Sequence, residues 1–324
     1  MKPLLIAVLA LFAAFTSTVQ AAPENFSQAK RLLRQHVYND QNAGADGTFY
    51  CGCDWSWVGK SGGQINLKSC GYKAGSQPER AARLEWEHTV AISAVGQQRQ
   101  CWQRGGRENC QKTDPVFNRM EADMHNLVPA IGEVNAIRSN INLGMVSGPS
   151  QNLGACATKV AVLHRAVEPR DEAKGMAARI TFYMADRYGL RLSKQQQQTL
   201  MAWDRQFPVS AWERERDRRI ARAMGHSNPF VTGEKAWSLG FRPSGAGLQA
   251  AAARTLAQPQ SQPQLVSQRA SVPGHPVFGN KRSGVYHLPV GCPSYSQVSP
   301  QNRVPFASEQ EAVAAGYRKA GNCQ

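Results

Sequence analysis

Two adjacent residues in the first third of the chain could combine acid–base chemistry with metal binding. Glu87 is followed directly by His88, and a second polar segment, Asp123–Asn135, ends in an amide side chain. A neutral imidazole such as that of His88 can accept a proton near pH 7. A carboxylate from Glu87 and an amide oxygen from Asn135 are hard ligands, which suit Mg²⁺ better than zinc. These residue types predict metal-assisted hydrolysis of a phosphodiester bond, with His88 as the general base.

The spacing around this pair predicts the elements that must position it. Residues 84–90 alternate between apolar or ring side chains and acidic or hydroxyl ones, which is the period of a β-strand. Adjacent strand residues face apart, so Glu87 and His88 can serve one site only where the strand ends, twists or bulges. We therefore expect His88 at a strand end, with an irregular backbone at the pair; an ordinary buried histidine is the alternative. Pro129 is expected to open a helix that carries Asn135.

A basic segment, residues 96–110, follows the pair. It contains three arginines and a Gly-Gly step, and its last ten positions begin and end with cysteine. The guanidinium group presents paired donors to phosphate oxygens, so arginines beside a hydrolytic site are expected phosphate contacts. We assign Arg107 to the charge that develops on the phosphate. A solvated loop without such a role is the alternative.

The composition favours a folded protein with a polyanionic partner. The chain has 324 residues, of which 42% are apolar, enough for a core and too many for a disordered chain. Lys and Arg number 38 against 23 acidic residues, giving a net charge of +15 and a pI near 9.7. Nucleic acid is the first candidate partner and an anionic membrane surface the second. A basic surface that serves only solubility is the alternative.

The N-terminus predicts export. Residues 1–22 combine one lysine, a short apolar stretch and small residues before a Val-x-Ala site, so we expect a signal peptide cut after Ala21 or Ala22. No other segment is long and apolar enough to span a bilayer. We therefore expect a periplasmic or secreted protein, in a compartment where disulfides persist.

In that compartment an even number of cysteines predicts disulfides rather than zinc. Six cysteines precede residue 157 and two lie near the C-terminus, which suggests three bridges in one domain and one in another: Cys51, Cys53, Cys70, Cys101, Cys110, Cys156, Cys292 and Cys323. Cys51 and Cys53 are too close to bridge each other comfortably. Cys101 with Cys110 is the easiest local pair, and Cys292 with Cys323 can staple the last domain; zinc bound with His287 is the alternative there.

Periodicity and composition divide the rest of the chain into three parts. Residues 23–233 are expected to form one domain, with an amphipathic helix at 25–38, short strands at 39–75 and a helix at 171–188. Capping boxes that begin at Ser193 and Ser210 predict two further helices, the second of which ends at Gly225. The arginines of the last helix are assigned mainly to a solvated face. Residues 234–278, rich in Ala, Gln, Pro and Ser, are expected to be a linker, and residues 279–324 a small disulfide-containing domain.

Several motifs in fixed order resemble the bacterial endonuclease I family of secreted or periplasmic nucleases. The similarity runs from about residue 25 to about residue 232 and rests on Glu85-Trp86-Glu87-His88, Gln98-Arg99-Gln100-Cys101-Trp102, residues 121–127, Gly132-Glu133-Val134-Asn135 and Asn228-Pro229-Phe230. The family usually continues His-Val-Val-Pro after the base, whereas this chain has His88-Thr89-Val90-Ala91. We expect that difference to affect packing more than chemistry.

The resemblance implies an α+β protein: a mixed α/β nuclease domain with a ββα-metal (His-Me finger) core, stapled by disulfides. It implies sequence-nonspecific cleavage of double- and single-stranded DNA, and also of RNA, that leaves 5′-phosphate ends. It assigns His88 as the general base and Arg107 as a phosphate contact. Glu87 and Asn135 become the ligands of Mg²⁺, for which Mn²⁺ or Ca²⁺ could substitute. Glu121 and His125 are candidates for supporting the site or the structure around it.

Two other classes of function compete with a nuclease. A protein that kept the scaffold and lost the chemistry would bind nucleic acid without cutting it, and an envelope structural protein would need none of the four site residues. Weak sequence preference is expected, because no helix-turn-helix or finger signature is present. We also expect a monomer. The C-terminal domain lies outside the resemblance, and its cations suggest accessory nucleic-acid binding: Lys281, Arg282, Arg303, Arg318 and Lys319.

Overall fold

The computed structural model describes residues 22–249 and 276–323. The chain divides into two compact units, Met1–Ala253 and Arg254–Gln324. The predicted signal peptide before residue 22, and residues 250–275 of the predicted linker, lie outside the described residues. Within the two described ranges, no helix combines the length and the apolar character that crossing a bilayer requires.

The first unit mixes helices and strands, as predicted. Its strands are β1 (Trp55–Val58), β2 (Gly62–Ile65), β3 (Arg83–His88), β4 (Leu127–Ile131), β5 (Asn142–Leu143), β6 (Lys159–Ala161) and β7 (Ala166–Glu168). Its helices are α1 (Phe26–Leu32), α2 (Pro78–Ala81), α3 (Ile92–Gly96), α4 (Gln100–Gln103), α5 (Gly106–Thr113), α6 (Pro115–Glu121), α7 (Gly132–Arg138), α8 (Asp171–Tyr188), α9 (Lys194–Gln206), α10 (Ala211–Met224) and α11 (Pro229–Thr232).

An antiparallel sheet in the order β1-β2-β3-β4 frames this unit. β4 is buried at every position and β3 at its last three. The two strands pair regularly to their ends, with Glu87 opposite Val128 and His88 opposite Leu127. His88 is therefore the last residue of its strand, as predicted. The predicted irregular backbone at Glu87 and His88 is wrong, because β4 provides an in-register partner for both residues.

The amphipathic pattern near the start of the described chain forms α1, which continues as one π-helical turn over Leu33–Val37. Ala29, Leu33 and Val37 are fully buried. They recur every four residues, so they share one face of the helix. That face packs on the main core, and the opposite face stays available to solvent and ligands.

α7 follows β4 directly and carries Asn135, as predicted. The helix begins at Gly132, and Pro129 lies instead inside β4, opposite Trp86. Gly132 lies so close to the chain beneath it that an added Cβ would be 2.5 Å from the carbonyl oxygen of Arg80. A residue without a side chain therefore lets α7 begin immediately at the strand end.

α8, α9 and α10 form the helical half of the unit. Ser193 and Ser210 accept hydrogen bonds from backbone amides in the first turns of α9 and α10, which confirms both predicted caps. Arg179 of α8 is buried and pairs with Glu213 of α10 at 2.5 Å. Removing one partner of such a buried pair typically costs about 3–5 kcal/mol, because it leaves the other charge uncompensated.

One arginine of α10 contradicts the predicted solvated face. Arg216 is only 3% exposed. It donates to the hydroxyl of Tyr38 at 2.6 Å and to the carbonyl oxygens of Met124, His125 and Leu127 at 3.2, 3.0 and 2.9 Å. It thereby ties α10 to the turn that leads into β4. The acceptors lie about 90 or more positions away in the chain, so charge spacing along the helix could not identify them.

All eight cysteines are paired, in the bridges Cys51–Cys156, Cys53–Cys70, Cys101–Cys110 and Cys292–Cys323. The predicted bridges Cys101–Cys110 and Cys292–Cys323 are confirmed, and Cys51 and Cys53 bridge to other cysteines rather than to each other, as expected. The Cys51–Cys156 bridge spans 105 positions. In the chain-entropy model, a bridge over a loop of that length stabilises the fold by about 5 kcal/mol.

Residues 234–249 pack on the first unit and do not begin the linker as predicted. Trp237 is 9% exposed, and its ring stacks on Phe182 with centroids 4.8 Å apart. Phe241 also stacks on Trp237, with ring centroids 4.5 Å apart. These aromatic side chains bury apolar surface, which the bulk composition of the segment concealed.

The second unit is a small sheet with one helix. Its strands are β8 (Val277–Asn280), β9 (Val285–His287), β10 (Arg303–Phe306) and β11 (Arg318–Lys319), in the order β10-β8-β9-β11, and its helix is α12 (Glu309–Ala314). β8 begins inside the predicted linker, two positions before residue 279. The core consists of Val277, Tyr286, Phe306 and Ala312. Because the Cys292–Cys323 bridge occupies both sulfurs, no thiolate remains for the alternative zinc site.

Candidate active site

A cavity of about 610 Å³ surrounds the end of β3. Its walls include Glu87, His88, Arg107 and Asn135. The structure thus brings together the four residues that the sequence assigned to one site. They come from three elements: β3 contributes the adjacent pair, α5 contributes Arg107, and α7 contributes Asn135. Because the cavity encloses a strand end, side chains from both faces of β3 can border it.

His88 is held as a neutral imidazole of defined orientation. Its Nε2 lies 2.9 Å from the backbone oxygen of Glu121. A carbonyl oxygen only accepts, so Nε2 carries the proton and Nδ1 is the basic nitrogen. Among the described residues, no group hydrogen-bonds to Nδ1. Burial lowers the pKa of His88 to about 3; the Glu121 carbonyl opposes this shift, while Arg107 and Arg138 add to it.

Glu87 is nearly enclosed by protein. Its Oε1 accepts from Arg138 Nη1 at 2.9 Å and from the Tyr50 hydroxyl at 3.2 Å. Burial raises the pKa of the Glu87 carboxyl, and the Arg138 guanidinium opposes the rise. Arg138 also donates to the backbone oxygens of His88 and Thr89, at 2.9 and 2.5 Å. Arg138 therefore fixes both the carboxylate and the end of the strand that carries it.

Asn135 is oriented by Glu85, a residue to which the sequence had given no role. The Asn135 amide nitrogen donates to Glu85 Oε2 at 2.8 Å. A carboxylate only accepts, so the amide oxygen of Asn135 faces away from Glu85. Arg80 holds the same carboxylate with two contacts, at 2.9 and 2.8 Å. One signal was available: Glu85 stands two positions before Glu87, so both occupy the same face of β3.

Arg107 enters the cavity from the second position of α5. Its Nε donates to Glu121 Oε1 at 2.6 Å, and its guanidinium carbon lies 5.5 Å from the centroid of the Phe26 ring. The side chain is 42% exposed. Within the described part of the chain, its terminal nitrogens have no hydrogen-bond partner. They are available to an anion in the cavity.

The predicted basic loop is largely helical, because it forms α4 and α5 closed by the Cys101–Cys110 bridge. The bridge packs with Phe117 in a small buried cluster, which anchors α5. Only one of the three arginines of the segment borders the cavity. Arg99 pairs with Asp114 at 2.6 and 3.0 Å, and Arg104 is exposed. Neither of them lines the cavity. Of the three arginines, Arg107 is therefore the one whose position allows it to contact a ligand in the cavity.

The two supporting candidates have different positions. Glu121 contacts two residues of the site. Its carboxylate accepts hydrogen bonds from Arg107 and Gln111, and its backbone oxygen accepts a hydrogen bond from His88. His125 does not border the cavity. It is 1% exposed, its Nε2 lies 3.0 Å from the backbone oxygen of His226, and its ring packs on Tyr183 at 4.7 Å. It belongs to a separate buried polar cluster.

The oxygen atoms at the site fit a hard divalent cation. Among the described side chains, Arg138 and Tyr50 both donate to Oε1 of Glu87, and the amide oxygen of Asn135 is turned away from Glu85. The described residues contain no group of three or more His, Cys, Asp and Glu side chains arranged to hold a metal. Two protein oxygens leave the other positions to water and phosphate, as Mg²⁺ commonly requires.

Comparison with known proteins identifies one matching family model and several similar proteins. A family model described as Endonuclease I matches residues 25–234. An extracellular deoxyribonuclease of Aeromonas hydrophila is 44% identical over 231 residues, covering 71% of this chain and 97% of that protein. A periplasmic deoxyribonuclease of the same species is 47% identical over 185 residues, covering 57% and 77%. A protein named Endonuclease-1 from Buchnera aphidicola subsp. Acyrthosiphon pisum is 40% identical over 208 residues, covering 64% and 80%.

Proposed function

The chain belongs to the endonuclease I family, and we propose that it is a periplasmic or secreted endonuclease that hydrolyses phosphodiester bonds in DNA. The observation that carries the proposal is the orientation of His88 beside Arg107. The imidazole is neutral and presents Nδ1, while the Arg107 guanidinium keeps its terminal donors for a phosphate. The printed names of the relatives, extracellular and periplasmic deoxyribonuclease, support both the substrate and the compartment.

In the proposed reaction, His88 takes the proton of the attacking water. The water oxygen forms a bond to phosphorus while the bond to the 3′ oxygen breaks, which leaves a 5′-phosphate and a 3′ oxyanion. The oxyanion takes a proton from solvent water to become the 3′-hydroxyl, and the imidazolium of His88 returns its proton to solvent. The Glu121 carbonyl keeps Nε2 protonated throughout, so Nδ1 is always the accepting atom. The same contact favours the imidazolium once the proton has arrived. A positioned general base of this kind contributes about 10²–10⁴-fold to a rate.

Arg107 acts on the phosphate in this scheme. Its Nε is fixed by Glu121 and its face by Phe26, so the terminal nitrogens are preorganised before the substrate arrives. Charge that develops on the nonbridging oxygens would gain from donors that need no reorganisation. Phe26 also packs on the His88 ring, with centroids 4.9 Å apart. One aromatic side chain thus spaces the base and the phosphate contact.

We further propose that Glu87 and Asn135 hold Mg²⁺, with Mn²⁺ or Ca²⁺ as possible substitutes. When bound, the ion would supply positive charge to the phosphate and the departing oxygen. Glu87 is buried beside the Arg138 guanidinium, and the oxygen of Asn135 is directed by Glu85. The order β3, β4, α7 supports the ββα-metal (His-Me finger) assignment, because both ligands and the base lie on these elements.

The substrate is contacted mainly through its backbone. A net charge of +15 and the absence of a base-reading motif both favour sequence-nonspecific binding of double- and single-stranded DNA. RNA is included in the proposal because its phosphates offer the same contacts. We propose a monomer that reaches the envelope through a cleaved signal peptide.

A plasmid assay tests the proposal. Purified oxidised protein is incubated with supercoiled plasmid or RNA, in Mg²⁺ or in EDTA. The expected result is nicking and linearisation that require Mg²⁺ and are lost in His88→Ala. His36→Ala is the matched control, because His36 is exposed and lies outside the cavity. Undiminished cutting in EDTA or by His88→Ala would overturn the mechanism, and binding without cutting by the unmodified chain would favour an inactive binding protein.

A further inference from the structure

A second cavity, which we call the outer groove, lies along α1 and the β1–β2 turn. Its volume is about 680 Å³, and its walls include Arg31, Arg34, Trp57 and Lys60. None of the residues that line it is acidic. The four residues that define the groove therefore combine three cations with one aromatic ring. The predicted site residues do not include any of them.

The outer groove adjoins the catalytic cavity, because the same two elements line both. α1 and its π-helical continuation contribute Lys30 to the catalytic cavity and Arg34, one helical turn later, to the groove. The β1–β2 turn contributes Ser61 to the cavity and Lys60 to the groove. Residues four apart lie on the same helix face. Lys30 and Arg34 therefore form a continuous cationic edge from one cavity to the other.

Arg34 is fixed in place without an acidic partner. Its guanidinium carbon lies 5.4 Å from the centroid of the Trp57 ring, and its Nη1 donates to the backbone oxygen of Gly59. Trp57 is itself held by Trp55 and Trp86, with ring centroids 5.4 and 6.4 Å away. In the ranges the structure describes, no ion pair involves Arg34, Arg31 or Lys60. The groove thus concentrates positive charge that the fold leaves uncompensated.

We propose that the outer groove binds the sugar-phosphate backbone of the substrate strand beyond the scissile phosphate. This inference rests on the proposed nuclease function, because it treats the catalytic cavity as the place where one phosphate of the same strand is bound. Phosphates would contact Arg31, Arg34 and Lys60, and Trp57 would form the apolar wall. A backbone contact of this kind positions the strand without reading its sequence.

The test measures binding alone, so that it does not depend on catalysis. The full chain carrying His88→Ala is titrated with a short fluorescent DNA duplex in EDTA, across a salt series, by fluorescence anisotropy. The groove variant adds Arg31→Gln and Lys60→Gln. The matched control adds Lys194→Gln and Arg205→Gln, two exposed cations of α9 that border neither cavity and change the net charge equally.

Two lost phosphate contacts should lower the slope of log K against log salt by about 2 and weaken binding by roughly tenfold, whereas the α9 control should stay near the His88→Ala parent. Equal weakening in both double variants would mean that only net charge matters, and it would overturn the groove. Unchanged binding by the groove variant would overturn it as well. Failure of the unmodified chain to cut plasmid would instead refute the proposed function, whatever the binding result.

Discussion

Two buried histidines of this protein make a controlled comparison. His88 and His125 each place Nε2 about 3 Å from a backbone oxygen, at 2.9 Å from Glu121 and at 3.0 Å from His226. Burial lowers the pKa of both to about 3. Both rings also pack against an aromatic side chain, Phe26 for His88 and Tyr183 for His125. The two side chains are therefore alike in protonation state and in the backbone oxygen contact that fixes the tautomer.

They differ in what lies on the other side of the ring. His88 borders a cavity that is also lined by Arg107 and Glu87. Nδ1 of His125 instead faces Asp217 at 3.5 Å inside the protein, and its side chain is 1% exposed. A lowered pKa therefore does not distinguish the two histidines. The proposal that His88 is the general base rests instead on its position in a cavity that Arg107 also lines.

The largest expected effect separates these two residues. His88→Ala should lower kcat/KM on DNA by about 10²–10⁴-fold, because it removes the general base and leaves binding groups in place. His125→Ala should lower the free energy of unfolding by about 2–4 kcal/mol, because it opens a void and leaves buried polar groups without partners. The activity of its folded fraction should stay within a few-fold of the unmodified protein. Steady-state kinetics measure the activity, and urea denaturation measures the free energy of unfolding. A stable but inactive His125→Ala would contradict the structural role expected for His125.

The next largest effect is expected at Arg107, the cation that lines the cavity beside His88. Arg107→Ala should lower kcat by about 10²–10³-fold, since it removes donors aimed at the developing charge. Arg104→Ala is the matched control: Arg104 is exposed, lies three positions away in the same disulfide-closed segment and does not border the cavity. Plasmid nicking rates in saturating Mg²⁺ give the comparison. Equal losses in both variants would show that the segment acts through net charge alone.

Sequence reasoning placed His88 at the site but could not distinguish it from His125 by position in the fold. His88 was placed correctly at a strand end because strand alternation is a local property of the chain. Asn135 was placed correctly on a helix, although Pro129, the expected first residue of that helix, lies inside β4. His125 resembled His88, since both follow an acidic residue closely and lie in a family motif. Which of the two borders a cavity depends on tertiary packing.

Contacts across long sequence separations were also beyond reach. The burial of Arg216 depends on acceptors near Leu127, and the Cys51–Cys156 bridge joins distant parts of the chain. Neither helix periodicity nor cysteine spacing contains that information. The regular pairing of Glu87 and His88 was missed for a different reason. The strand end alone let both residues reach the cavity, so no bulge was required.

Glu85 extends the comparison from the base to a proposed metal ligand. The Glu85 carboxylate orients the Asn135 amide much as the Glu121 carbonyl orients the His88 ring. Glu85→Gln should weaken Mg²⁺ binding by about 10–100-fold, because an amide at position 85 can either donate or accept and no longer fixes Asn135. Isothermal titration calorimetry on the His88→Ala background measures the affinity without turnover. An unchanged affinity of Glu85→Gln for Mg²⁺ would show that Mg²⁺ binding does not depend on the orientation of Asn135.

The smallest effect tests whether His125 is as strongly buried as its surroundings indicate. Its pKa is lowered from 6.5 to about 3 in the folded protein, with burial as the main cause. The unfolded chain therefore binds this proton first as the pH falls, so the stabilising contribution is present above about pH 6.5 and is lost progressively below it.

His125→Gln removes that titration. Between pH 6 and pH 4.5, the free energy of unfolding should fall less steeply in His125→Gln than in the unmodified protein, by about 1.4 kcal/mol per pH unit. Urea denaturation at several pH values in EDTA measures both slopes, and His36→Gln provides the exposed control. Parallel slopes for all three proteins would mean that His125 titrates in the folded protein much as it does in the unfolded chain, and that its cluster opens to water.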